Sequence, residues 1–213
     1  MSATFRLDRA NGTLLDGAGR RFDPVTRRWE PADAATRADA LEQIDAIAAV
    51  TWLQRESGDP LRVPIGVIGP RDATDAQLAA ALEVGELLGD CRLTVICGGR
   101  QGVMQAVCEG VARVGGVSIG LLPETDPAVG NPYVSVAIAT GIGEARNALI
   151  ARASFCLIAI GDSFGTLSEV ALARQFGKLV VGLEGAAKVE GVRRVDTARE
   201  AVTMAAEAVL GVT

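Results

Sequence analysis

The sequence contains no histidine. That absence removes serine–histidine and cysteine–histidine nucleophile pairs together with histidine metal sites, so any catalysis must rest on carboxylates, arginines or bound water. Basic residues are also in deficit: 21 Lys and Arg stand against 26 Asp and Glu, a formal net charge of −5. General nucleic-acid and membrane-surface binders need a basic footprint, so neither kind of partner is expected. The four cysteines, Cys91, Cys97, Cys108 and Cys156, lack CxxC spacing, and three lie in or beside apolar runs, as buried thiols do in a reducing compartment. No apolar run approaches the roughly 18 residues of a membrane span. The opening residues, Met1 to Arg6, lack the basic and apolar regions of a signal peptide. A soluble, cytoplasmic protein is expected.

Two nucleotide signatures are missing as well. No glycine turn supplies the Gly-Lys-Ser/Thr that grips a β/γ-phosphate and magnesium, which argues against an ATPase. No complete G-x-G-x-x-G follows the first strand of the alternating region, and no acidic residue stands where it would hold the ribose of NAD, which argues against a dehydrogenase.

What is present is a repeated unit of apolar run, glycine turn and helical pattern. Val63 to Ile68 runs into Gly69-Pro70-Arg71-Asp72, Leu93 to Cys97 into Gly98-Gly99-Arg100-Gln101-Gly102, and Phe155 to Ile160 into Gly161-Asp162-Ser163-Phe164-Gly165. Continuous Val/Ile/Leu runs without alternation suit a parallel sheet covered on both faces. Strands are predicted near 63–68, 93–97, 117–121, 133–138, 155–160 and 179–183, with helices near 75–89, 101–113, 144–153, 165–176 and 197–210. The fold class is α/β: a doubly wound, Rossmann-like parallel sheet with helices on both faces. Ahead of it, residues 4–30 hold Asp16-Gly17, Gly19, Asp23-Pro24 and Trp29 between short β-prone pieces, which reads as a small hairpin arm. A helix is predicted over 36–56, apolar enough to offer a surface for self-association. The expected domains are an arm over 1–32 and a phosphate-binding domain over 33–213.

In a parallel sheet the glycine turns gather at the carboxyl ends of the strands, where the uncapped N–H groups of the following helices hold anions. Two phosphate-sized cradles are predicted. One comprises Gly98, Gly99, Arg100, Gly102, Val103 and Met104; the other comprises Gly161, Ser163, Phe164, Gly165 and Thr166. Gly69 and Arg71 join them from the first turn. Arg71, Arg100 and Arg146 all stand beside glycine turns and imply a local positive pocket in an acidic protein. Arg146, followed by Asn147, lies near a helix start, where the dipole disfavours cations, so an anionic partner is implied. Glu169 reads two ways. Thr166-x-x-Glu169 has the spacing of a capping box, as do Thr74-x-x-Gln77 and Thr197-x-x-Glu200, yet Glu169 also sits one turn into the helix that faces the cleft. The loop over 122–132 is long enough to serve as a lid.

Gly98-Gly99-Arg100-Gln101-Gly102-Val103-Met104, Thr140 through Asn147 and Gly165-Thr166-Leu167-Ser168-Glu169 together resemble the Lonely Guy (LOG) superfamily, once mislabelled lysine decarboxylases. The resemblance spans about residues 63–183. Ala145-Arg146-Asn147 and Gly165 through Glu169, with Asn131-Pro132-Tyr133 ahead of them, look more like its molybdenum cofactor carrier branch than its cytokinin-activating enzymes. The carrier branch implies binding of a phosphorylated small molecule, with molybdenum cofactor as cargo and no cofactor needed for folding. The enzyme branch implies the alternative, hydrolysis of the N-glycosidic bond of a nucleoside 5′-monophosphate to free base and ribose 5-phosphate, with Arg146 and Glu169 as catalytic groups. The sequence departs from that branch where Gly161-Asp162-Ser163-Phe164 replaces Pro-Gly-Gly and Arg146-Asn147 replaces Arg-Lys. The resemblance also implies a homo-oligomer, dimer or tetramer.

Overall fold

The apolar runs that precede the glycine turns become the strands of one parallel sheet. In a computed structural model, which describes residues 3–32 and 41–212, the elements from residue 63 onward alternate as the sequence predicts. They are β6 (Ile65–Ile68), α2 (Asp75–Asp90), β7 (Val95–Cys97), α3 (Val103–Arg113), β8 (Ser118–Leu122), β9 (Val136–Ala139), α4 (Asn147–Ala153), β10 (Leu157–Ile160), α5 (Phe164–Gln175), β11 (Val180–Leu183), β12 (Val192–Arg194) and α6 (Ala198–Val209). The strand order is β12-β11-β10-β6-β7-β8-β9, and every pair is parallel. Strands β6, β7, β10 and β11 are buried at every residue, which accounts for runs without alternation.

The chain leaves β6 to one side, through β7, β8 and β9, and returns to its other side through β10 and β11. Right-handed crossovers then put α2 and α3 on one face and α4 and α5 on the other. The helices pair accordingly, α2 with α3 and α4 with α5. The reversal beside β6 opens a crevice between the ends of β6, β7 and β10, the usual ligand position in such sheets. The contact of α2 with α3 is made by backbone. A Cβ at Gly85 would fall 2.3 Å from Val107 O, and one at Gly110 would fall 2.1 Å from Leu82 O. β12 was not expected from the sequence, since Val192-Arg193-Arg194 has no apolar run and is mostly exposed.

The described residues of Met1–Arg62 and Ala206–Thr213 form one compact unit, and those of Val63–Ala205 form the other. In the first unit, β1 (Thr4–Asp8), β2 (Thr13–Leu15), β3 (Arg20–Asp23), β4 (Arg28–Pro31) and β5 (Glu42–Asp45) make an antiparallel sheet in the order β4-β3-β2-β1-β5. The arm is antiparallel as predicted, but it recruits β5. Phe5 stacks on Trp29 with centroids 5.7 Å apart, Phe22 tilts onto the same ring, and the indole N–H donates to Leu210 O at 2.7 Å. The helix expected over 36–56 is shorter: α1 spans Ala46–Arg55, while Glu42–Asp45 pairs with β1. Asp45 sets the boundary by accepting the Ala48 N–H at 2.8 Å. The part of that expectation over 36–40 lies outside the described residues.

Candidate functional site

The carboxyl ends of β6, β7 and β10 frame an open cavity of about 950 Å³. Of the residues singled out in the sequence, Gly69, Arg71, Gly98, Met104, Arg146, Asn147, Ser163, Phe164, Gly165, Thr166 and Glu169 line it; Gly99, Arg100, Gly102, Val103 and Gly161 do not. Ile68, Pro70, Asp72, Glu144, Asp162 and Ser168 also line it and were not expected to. Their neighbours in sequence were the available signal: all but Glu144 adjoin a residue already singled out by a glycine turn or motif.

The two expected cradles differ once folded. At the start of α3, the first N–H, from Val103, is spent on Pro70 O at 3.1 Å. Gly102 adopts φ +69°, and a Cβ there would lie 2.2 Å from Arg71 O and 2.4 Å from Pro70 O. Carbonyl oxygens therefore crowd that helix start, an unfavourable setting for an anion. Val103 packs beneath Gly69, and Arg100 turns away to pair with Glu124. At the start of α5 the surroundings are open. Ser163 caps the helix by accepting the Thr166 N–H at 3.1 Å, and an added Cβ at Gly165 would come no nearer than 3.8 Å to any neighbour.

This cap decides the two readings of Glu169. In α2, Thr74 and Gln77 form the reciprocal capping box, and Thr197 and Glu200 exchange the same bonds before α6. In α5 the cap is one turn earlier, at Ser163, so Thr166 is the third helical residue and Glu169 caps nothing. Glu169 instead faces Arg146 across the cavity floor, with Arg146 Nη1 donating to Oε1 at 3.3 Å. Both residues are nearly sequestered, at 4% and 5% exposure, and Gly98 leaves room for the guanidinium: a Cβ there would sit 2.6 Å from Arg146 Nη2. Asn147 ties the pair to α5. Its Oδ1 accepts from Arg146 Nη1, and its Nδ2 donates to Ser168 Oγ at 3.0 Å. The anionic partner implied for Arg146 is thus, in part, internal. Arg146 Nε remains buried with no acceptor among the described residues.

Burial lifts the Glu169 carboxyl to about 8; Arg146 opposes the shift and Glu144 adds to it. The neutral acid still accepts the Arg146 N–H. Because the folded protein holds a proton that the unfolded chain releases above about 4.5, this group makes stability fall as pH rises from about 4.5 to 8. Melting temperatures across that interval should decline less steeply for Glu169→Gln than for the parent. An identical slope would contradict the assignment.

The thiols contribute no chemistry to this geometry. Cys97 and Cys108 lie buried with their sulfurs 3.6 Å apart, and the shared hydrogen bond and burial push the Cys97 thiol up. The expected lid is also absent from the cavity wall, because no residue of 122–132 lines it. That loop is instead tied to the β7 turn: Asn131 N–H donates to Gly99 O at 2.9 Å, and Asn131 Nδ2 donates to Arg100 O at 3.2 Å. Among the described residues there is no cluster of metal-ligating side chains and no helix long and apolar enough to cross a membrane.

The sequence profile of the SLOG cluster4 family matches residues 62–209, the whole alternating region. The chain belongs to the SLOG cluster4 family. A relative of this SLOG chain from Archaeoglobus fulgidus, an uncharacterised protein, is 38% identical over 138 residues, covering 65% of this chain and 91% of that one. Among solved structures, the SLOG chain is similar to the molybdenum cofactor binding protein from Rippkaea orientalis, with a TM-score of 0.65 and 32% identity over 67% of this chain and 94% of that one. It is similar also to the molybdenum cofactor carrier protein from Chlamydomonas reinhardtii, at TM-score 0.61 and 32% identity over 70% and 98% of the two chains. DNA processing protein A from Streptococcus pneumoniae, at 18% identity and TM-score 0.55 over 66% and 60%, shares the fold alone.

Proposed function

We propose that this SLOG protein binds a phosphorylated small molecule with its phosphate at the start of α5, and that it acts as a carrier of the molybdenum cofactor kind. The observation that carries the reading is the junction of Gly165 with Arg146. An open helix N-terminus and the Arg146 guanidinium line one cavity of about 950 Å³ that would hold a pterin or a nucleotide. The likeness to proteins whose names state molybdenum cofactor binding or carriage, covering more than nine-tenths of each, supports the same ligand class. Arg146 and Asn147 would hold the phosphate against α5, and Ser163 and Thr166 would fix the helix start. The protein would operate in the cytoplasm as a homo-oligomer.

One observation favours the alternative, a nucleoside monophosphate phosphoribohydrolase. Glu169 is excused from capping, lines the cavity and holds a proton near neutral pH, as a general acid must. Purified protein should be incubated with AMP and related monophosphates, with released base quantified by chromatography, and its melting temperature should be followed with AMP and with molybdenum cofactor. The expected outcome is no base release, with a rise of roughly 5–10 °C at about 100 Kd of ligand that Arg146→Ala abolishes. Base release that disappears in both Glu169→Gln and Arg146→Ala would establish the hydrolase and overturn the carrier reading.

A further inference from the structure

Three of the four sheet edges among the described residues carry charge, and the fourth does not. β4 presents Arg28, Glu30 and Pro31, β5 presents Glu42 and Asp45, and β12 presents Arg193 and Arg194, the usual guards of an unpaired strand. β9 ends the parallel sheet with Val136-Ala137-Ile138-Ala139. It lies in a stretch, Pro127 to Gly143, without a single Lys, Arg, Asp or Glu in a chain that is 22% charged. Five of the ten exposed large apolar side chains fall in that stretch, so the exposure is concentrated there: Val129, Tyr133, Val136, Ile138 and Ile142. β9 has the sequence of a strand covered on both faces, yet one face is bare. Val136 and Ile138 point to the same side, beside Ile119 and Leu121 of β8. The core cluster on that side runs from Ile150 of α4 and Val170 of α5 to Leu121, thins at half-buried Ile119, and ends in solvent at Val136 and Ile138, 47% and 44% exposed. Parallel sheets are covered on both faces, so this strand needs a cover that the described residues do not supply.

Resting on the homo-oligomeric part of the proposed function, we infer that β9 is the contact with a second copy of this chain, its edge pairing antiparallel with the β9 edge of the partner about a two-fold axis. A two-fold brings each residue near its own counterpart, so a charge beside the axis would meet a like charge. The uncharged run from Pro127 to Gly143 removes that penalty, and it offers no counter-charge to a charged peptide or a nucleic acid. The pairing would satisfy the outward N–H and C=O groups of β9, whose one partner strand among the described residues is β8. It would also join Val136 and Ile138 of the two copies into one apolar strip. The five exposed apolar side chains offer roughly 400 Å², about half of what each partner gives to a standard interface, and the backbone edge with Gly130, Ser135 and Thr140 adds to it. The loop ahead of β9 is already rigid, because Asn131 is bound to Gly99 O and Arg100 O, so little ordering cost remains for Val129 and Tyr133.

Analytical ultracentrifugation of the full chain over a concentration series tests this. The parent is expected to sediment as a dimer or a larger even assembly. Ile138→Lys and Ile138→Glu, each purified alone, should sediment at half the parent's mass, with self-association through this contact weakened by roughly a hundredfold, since like charges then face each other. Mixing the two variants sets opposite charges across the axis and should restore the parent's mass, a recovery that misfolding of either variant would not allow. A parent that is monomeric throughout overturns the inference and the homo-oligomer together, and leaves ligand binding untouched. A parent that assembles while both Ile138 variants assemble as well as it does, or a mixture that stays at half mass, overturns the β9 contact alone.

Discussion

Gly110→Ala is expected to lower stability by about 3 kcal/mol, although alanine is the better helix former. The added methyl in the middle of α3 would lie 2.1 Å from Leu82 O and 2.9 Å from Glu86 N, both backbone atoms of α2. No rotamer change can relieve that. The helices must separate, and α2 and α3 are each packed on the sheet as well as on one another. Helix propensity would return roughly 0.5–1 kcal/mol, which the overlap exceeds. In a chain of this size the net loss corresponds to a fall of roughly 6–12 °C in melting temperature. Calorimetry of the purified variant decides the matter, and a fall smaller than about 2 °C would mean that the two helices slide apart freely.

The same substitution one sheet face away should have the opposite sign. Gly165 lies in the first turn of α5, has no positive φ and would place a Cβ in ordinary contact, 3.8 Å from Asn147 Nδ2 and Ser163 Oγ, with no overlap. Nothing in the fold asks for glycine there, so Gly165→Ala should raise the melting temperature by roughly 1–4 °C. The methyl would stand in the cavity beside the N–H groups to which the phosphate is assigned, and affinity for the phosphorylated ligand should fall at least tenfold. Melting curves with and without ligand measure both effects at once. A stabilised variant that binds as well as the parent would remove α5 from the site.

The contrast shows what kind of information the sequence carries. The central parallel strands, their order of occurrence and the glycine turns were legible because β6, β7, β10 and β11 are buried at every residue and so read as unbroken apolar runs. The start of α5 was not, because Ser163-x-x-Thr166 and Thr166-x-x-Glu169 overlap in the same three-residue frame, and spacing alone cannot say which hydroxyl is the cap. The structure resolves it through the extended backbone of Ser163, at φ −164° and ψ 167°. β5 was absorbed into a predicted helix because its four residues, Glu42-Gln43-Ile44-Asp45, bury only Ile44, and only pairing with β1 makes them a strand. Arg100 looked like Arg71 and Arg146, each a basic residue near a glycine turn. Its partner Glu124 is brought up by β8, a contact no local pattern announces. Asp72 and Asp162 were not singled out, since they meet one cavity only because β10 lies beside β6.

That adjacency has a kinetic consequence. The ladder joining Gly66 to Leu157 links the two most distant positions paired in the parallel sheet, whereas the steps from β6 to β7, β8 and β9 can be taken in order as the sequence emerges. Loop-closure entropy must be met before the long-range ladder gives anything back, so β10 should dock late. A nascent chain that has just completed β9 owns the glycine turns of β6 and β7, but neither β10 nor the α5 helix that carries Glu169. The ligand cavity is therefore a late part of the molecule to come into being, and a ligand present during synthesis can select only chains that have already docked β10 against β6.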